Sequence, residues 1–136
     1  MPITHIDQGV QSHRVKFHIV GDATLQNSIA NPFGGTVLIR RAELYSVSPA
    51  TAANNISIGI GAAAAGNNDI LGATAANGLA AGTFRNCFAA ENTAATLIAA
   101  PILWTAANFL TFTGAATLAG YEGYLLLEVI PLPDRI

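Results

Sequence analysis

Asn55–Leu79, NISIGIGAAAAGNNDILGATAANGL, decides the fold class of this 136-residue chain, because it enters as a strict two-residue alternation and leaves as a run of small residues. In Ile56, Ser57, Ile58, Gly59, Ile60 and Gly61 the β-branched side chains share one parity and Ser and Gly the other, the period of a half-buried strand. One face is therefore core. The face that bears only Ser and Gly admits a second backbone at close range, as a neighbouring strand, subunit or partner would provide. Four consecutive alanines follow, but Gly61 and Gly66-Asn67 bracket a stretch too short to hold a helix alone. Beyond them Asp69-Ile70-Leu71 is expected to make a single helical turn and Asn77-Gly78 a tight turn.

Strand patterns recur on both sides of this stretch. Met1–Ser12 has no sustained period and reads as an extended arm. His13–Val20 alternates, with Val15, Phe17 and Ile19 on one face and Arg14, Lys16 and His18 on the other. Ala23–Phe33 is a mixed connection in which Ala30 or the residues before it supply a further strand. In Thr36–Ser48 the alternation slips, since Val37 and Ile39 share a parity with Arg41 whereas Leu44 has the other, and a bulge near Arg40-Arg41 restores one inner face. Further strands are expected at Thr83–Ala89, Thr96–Trp104 (with Pro101 bending or ending it), Phe109–Thr113 and Gly123–Ile130. Short strands at this spacing, joined by Gly and Asn turns, predict an all-β fold. It is an antiparallel β-sandwich or jelly roll of about seven or eight strands, with an arm over 1–12 and a single domain over 13–136.

Composition bounds the partners. The charged fraction is 10%, against about 25% in an average soluble protein, whereas Ala contributes 26 residues and Asn plus Thr 22. A surface so poor in charge is one that copies of itself or a larger assembly cover, because charge is depleted at interface cores. A net charge of -2 gives no footprint for nucleic acid. The cation pairs Arg14 with Lys16 and Arg40 with Arg41 read as solvated strand edges that discourage wrong pairing. One cysteine, Cys87, excludes an internal disulfide and fits a reducing cytosol. Met1–Lys16 lacks the apolar segment and basic start of a signal peptide. Ala94–Phe112 is long and uncharged, but Pro101 and Asn108 interrupt it and no Lys or Arg flanks it, so buried strands and not a membrane span are expected.

The motifs that carry chemistry fail on context. Gly59–Ala64 matches a dinucleotide fingerprint, yet Gly66-Asn67-Asn68 stops any helix within a turn and no Asp or Glu stands between Asp69 and Glu91 to hold a ribose. Gly61–Gly66 has phosphate-loop spacing with Asn67-Asn68 where the Lys and hydroxyl belong. His5, His13 and His18 do not converge, since His13 and His18 fall on opposite strand faces. Asp69 stands alone where a calcium loop wants alternate acids. Cys87 has no identifiable base, and Glu122 and Glu128 lie about 20 Å apart at strand rise. No enzyme, cofactor or metal site is expected.

With the strands placed, the chain is similar to small jelly-roll virion proteins of tailed bacteriophages. The resemblance lies in Val15–Val20, the Arg-bearing strand Thr36–Tyr45, the NISIGIG strand, the NNDILGATA loop, the AGTF segment and the closing YLLLEVI. It implies a structural virion protein made in the host cytoplasm, most simply an oligomeric capsid decoration protein, commonly a trimer. Its partners would be itself and the major capsid protein or another virion protein. The arm, through Ile3, His5, Ile6 and Val10, is the expected capsid contact. In YEGYLLLEVI neither parity is polar: Leu125, Leu127 and Val129 make one face, and Tyr124, Leu126 and Ile130 with Glu128 the other. That second face is expected to pack on a neighbouring subunit around a symmetry axis, threefold by the resemblance. The alternative is a tail-tip or fibre module that binds a receptor or carbohydrate, with Trp104, Tyr121 and Asn67-Asn68 as its platform and ligands.

Overall fold

Alternation at period two produces a strand wherever it occurs in this chain. The computed structural model describes residues 12–22, 26–63, 65–87, 101–114 and 117–132. Within them lie β1 (His13–Val20), β2 (Gln26–Ala30), β3 (Val37–Ser48), β4 (Asn55–Gly61) and β5 (Leu71–Ala75). After a 3₁₀ turn at Ala76–Gly78 follow β6 (Thr83–Asn86), β7 (Ile102–Trp104), β8 (Phe109–Gly114) and β9 (Glu122–Pro131). Every strand pairing is antiparallel. Sheet A runs β1-β9-β3-β6, with β7 on the other half of β3, and sheet B runs β2-β8-β4-β5. The chain is a β-sandwich: both inner faces feed one buried cluster that includes Ile39, Leu44, Leu125, Leu127 and Val129 from sheet A and Ile56, Ile58, Leu71, Leu110 and Phe112 from sheet B. Full burial of each such side chain stabilises the fold by about 1.5–3 kcal/mol relative to exposure.

The slipped alternation of β3 resolves as expected. Ile39 pairs with Val129 and Arg41 with Glu128, so Arg40 is the extra residue of a β-bulge. Arg40 and Arg41 are both exposed, while Ile39 before them and Ala42 and Leu44 after them are buried. Trp104 is a core anchor at the start of β3: it pairs with Val37, its indole N–H donates to the Asn108 carbonyl at 3.0 Å, and Phe33 meets it edge-on with ring centroids 5.6 Å apart. Tyr121 lies in the core with its hydroxyl 3.2 Å from Ser46 Oγ. Gly123 makes room for that ring, since a Cβ there would come within 2.5 Å of the Tyr121 hydroxyl.

One local expectation is corrected and a second is resolved. Asp69-Ile70-Leu71 is not a helical turn, because β4 offers it strand partners: the Ile70 N–H donates to the Ile58 carbonyl at 3.0 Å, and Leu71 opens β5. On the small-residue face of β4 the expected close approach of a second backbone is made by the chain's own 67–69 segment. Asp69 Oδ1 accepts the Ile60 N–H at 2.7 Å just before β5 begins, and Asn67 Nδ2 donates to Thr111 Oγ1 at 3.1 Å. A Cβ on Gly59 would stand 2.6 Å from the Asn67 carbonyl carbon and 2.7 Å from the Asn68 nitrogen, closer than any real side chain sits. The strands expected at Thr83–Ala89 and Thr96–Trp104 are shorter where described, and 88–100 lie outside the described residues, as does the arm over 1–11. Among the described residues no helix is long and apolar enough to cross a membrane.

Cys87 follows β6 and is buried, with its Sγ 3.9 Å from the Arg85 carbonyl oxygen. Burial pushes its thiol up from 9.0 to about 12, opposed by the nearby Arg85 charge and reinforced by Glu43. Burial also raises the Tyr121 phenol, against its hydrogen bond to Ser46. Both groups fold in their neutral form, so the stability they contribute is complete below their ordinary values and is lost as pH rises.

Two measurements test this packing. Gly59→Ala is expected to cost about 1–3 kcal/mol by overpacking, and Asp69→Ala about 1–2 kcal/mol by orphaning the Ile60 N–H, with Asp69→Asn costing less because an acceptor remains. Urea denaturation midpoints read these changes, and an unchanged midpoint in Gly59→Ala refutes the close approach. In the alkaline range, wild-type stability is expected to fall between pH 9.0 and about 12 with a steeper slope than that of Cys87→Ala, while thiol reagents at neutral pH leave the folded protein unmodified.

Candidate interaction surface

The outward parity of sheet A is set by the registers of its five strands, which carry side chains from distant parts of the sequence into rows across the strands. Ile130 lies beside Leu38, and Leu38 beside Leu103. The next row is Arg14, Glu128 and Arg41, then Lys16, Leu126, Glu43 and Asn86, then His18, Tyr124, Tyr45 and Phe84. The three β9 residues expected at an interface, Tyr124, Leu126 and Ile130, therefore share the outer face, one in each of three different rows. All three are half-buried by their neighbours, whereas the core parity of the same strand is fully buried. Exposure rises toward the sheet's far side, to 63% at Phe84 and 51% at Leu103.

The aromatic row is built from contacts that no single stretch of sequence contains. His18 stacks on Tyr124 with centroids 4.8 Å apart and rings 20° from parallel, and Lys16 Nζ sits 5.1 Å from the Tyr124 centroid. Tyr45 and Phe84 meet at 4.8 Å, tilted 44°. Such pairs contribute about 0.5–1.5 kcal/mol beyond their area. His18 Nε2 lies 2.8 Å from Glu122 Oε2, at the end of the row.

The charged rows surround Leu126. A shallow depression of about 260 Å³ opens there, with Arg14 and Lys16 on the β1 side, Arg41 and Glu43 on the β3 side and Glu128 at one end. Arg41 Nη2 bonds Glu43 Oε1 at 2.9 Å, and Arg40 Nε stands 4.0 Å from Glu128 Oε1. These pairs are solvated and contribute little to stability. Four of the chain's six Lys and Arg residues thus project from one sheet face, so the two cation pairs of the sequence belong to one cluster.

Other expected sites come apart. Trp104 and Tyr121 are fully buried, so they form no aromatic platform, and Asn67 is engaged in holding its loop to Thr111. Gly59 and Gly61 lie in β4 with Asn67 and Asp69 filling the space above them, where a dinucleotide would need open backbone. His13 and His18 are five residues apart on β1, and His18 is turned to Glu122. Among the described residues no three His, Cys, Asp or Glu side chains come together. His5, with Ile3, Ile6 and Val10, lies outside the described residues. The basic and aromatic rows escaped the sequence reading, whose only signal for them was that both cation pairs fell on strands.

Comparison with known proteins leaves the surface to be read on its own chemistry: no family model, no curated protein and no solved structure matches the chain.

Proposed function

We propose that this β-sandwich is a structural, non-enzymatic subunit of a tailed-phage particle, an oligomeric capsid decoration protein that assembles through the outer face of sheet A. The observation that carries this reading is β9, a central strand whose solvent parity presents Tyr124, Leu126 and Ile130. An outer face ordinarily alternates to polar residues, and large apolar side chains set among charged rows, as here, suit a surface that another molecule covers. Exposed Phe84 and Leu103 extend it across the sheet. Sheet B offers no equivalent, because its own loop covers β4.

The jelly-roll part of the reading draws support from the nesting of the pairs. The first four strands pair with later ones in reverse order: β1 with β9, β2 with β8, β3 with β6 and β7, and β4 with β5. A long hairpin rolled on itself has this order. The resemblance to phage virion proteins adds the particle, the threefold axis and the capsid as partner. The receptor-binding or carbohydrate-binding alternative loses support with the burial of Trp104 and Tyr121.

Leu126→Arg places a fifth cation at the centre of the proposed interface. The expected outcome is a folded protein by circular dichroism that has dissociated by light scattering, since the site is half-buried in one subunit and its charge reaches solvent only when the partner leaves. Wild-type protein that is monomeric at micromolar concentration refutes the assembly. Deletion of residues 1–12 is expected to leave the sandwich folded and abolish co-sedimentation with purified capsids. Undiminished co-sedimentation removes the arm from the capsid contact.

A further inference from the structure

Sheet A has an open side at β1, which pairs with β9 along its whole length and, among the described residues, with nothing on its other edge. An unpaired strand edge presents a row of backbone donors and acceptors that another extended chain can complete. Two further features of β1 say what that chain must be. On the inner parity, Val15 and Phe17 pack against the core but remain half-buried, as apolar side chains do where a sheet stops one strand short of covering them. On the outer parity, Arg14 and Lys16 are exposed, and no carboxylate of the described residues forms an ion pair with either. The closest ion pairs of this face lie elsewhere: Glu43 bonds Arg41, Glu122 meets His18, and Glu128, although cross-strand to Arg14, comes within 4.0 Å of Arg40.

We infer that the β1 edge is a docking site for an extended segment of another polypeptide in which acidic and apolar residues alternate. The acids would lie beside Arg14 and Lys16 on the outer face, and the apolar residues would finish the cover over Val15 and Phe17. Opposite charges in cross-strand positions attract and like charges repel, so the same two cations that admit an acidic strand turn away basic ones. They also turn away a second copy of β1, because pairing of two such edges gathers both sets of Arg14 and Lys16 onto one face. Nor does this chain contain a matching donor: its nearest two acidic residues stand six positions apart, where the site requires a spacing of two. The partner is therefore a different protein. The inference stands whether or not the outer face joins copies into a particle.

The test uses the full chain and two short fluorescent peptides, one alternating Glu and Val and the other alternating Lys and Val. Fluorescence anisotropy is expected to show saturable binding of the Glu/Val peptide alone, and amide hydrogen exchange to slow in 13–20 when it binds. Arg14→Glu with Lys16→Glu, both at exposed positions and checked for fold by circular dichroism, is expected to weaken the Glu/Val peptide roughly ten-fold and to admit the Lys/Val peptide. Equal binding of both peptides, binding without protection of 13–20, or indifference to the double substitution overturns the inference. Protection of 13–20 that grows with protein concentration in the absence of peptide assigns the edge to a second copy and overturns it as well.

Discussion

One extra residue in β3 holds sheet A together. A strand that alternated without interruption from Val37 to Ser48 would bury either Val37 and Ile39 or Ala42 and Leu44, never both, because a one-residue slip moves every side chain to the other face. The bulge at Arg40 absorbs the slip and lets both pairs face the core against Val129, Leu127 and Leu125 of β9. It also turns Arg40 and Arg41 outward together. The inner packing and the outer charge of the sheet therefore depend on the same backbone irregularity, and bulges serve elsewhere to re-aim side chains in this way.

The two faces of the sandwich solve the problem of exposure differently. On sheet B, Ser57, Gly59 and Gly61 leave β4 without side chains of any bulk, and the following loop uses that room to supply Asp69 and Asn67 as hydrogen-bond partners. The protein covers that face with itself. On sheet A, large side chains occupy the same kind of position and lean on one another in rows, which shields them in part without excluding a partner. Low overall charge concentrates the meaning of the few cations present: most of them stand on this face or its β1 edge.

Much of the architecture is legible in the sequence because alternation depends on local spacing alone. β1 and β4 follow from their parity, β8 and β9 from short apolar runs between turn residues, and the bulge follows from the slip in the parity of β3. β5 was not legible. Its residues Leu71–Ala75 have little strand preference of their own, and they extend because β4 pairs with them and Asp69 takes up the ladder just before their start. The glycine face announced a close approach but not whose backbone would make it. The outer apolar parity of β9 was readable, whereas the aromatic row was not, because His18, Tyr124, Tyr45 and Phe84 meet only through three separate strand registers. Trp104 at a strand end could have served the alternative, a binding platform, but it is core, and the Phe33 and Phe17 rings packed on it come from far upstream.

The place of β9 between β1 and β3 has a consequence for how the molecule comes into being. His13 pairs with Val129 and Val37 with Pro131, so β1 and β3 meet only through β9: β1 waits for it, whereas β3 can first pair with β6 and β7. During synthesis β4 and β5 can meet as soon as they emerge, since they are neighbours in sequence as well as in space. Sheet A has no such local start. Contacts that span nearly the whole chain carry the full entropy of loop closure before they return any stabilisation, and proteins dominated by them fold slowly. Until β9 is made, β1 therefore has no strand to pair with and sheet A consists of β3 with β6 and β7 alone.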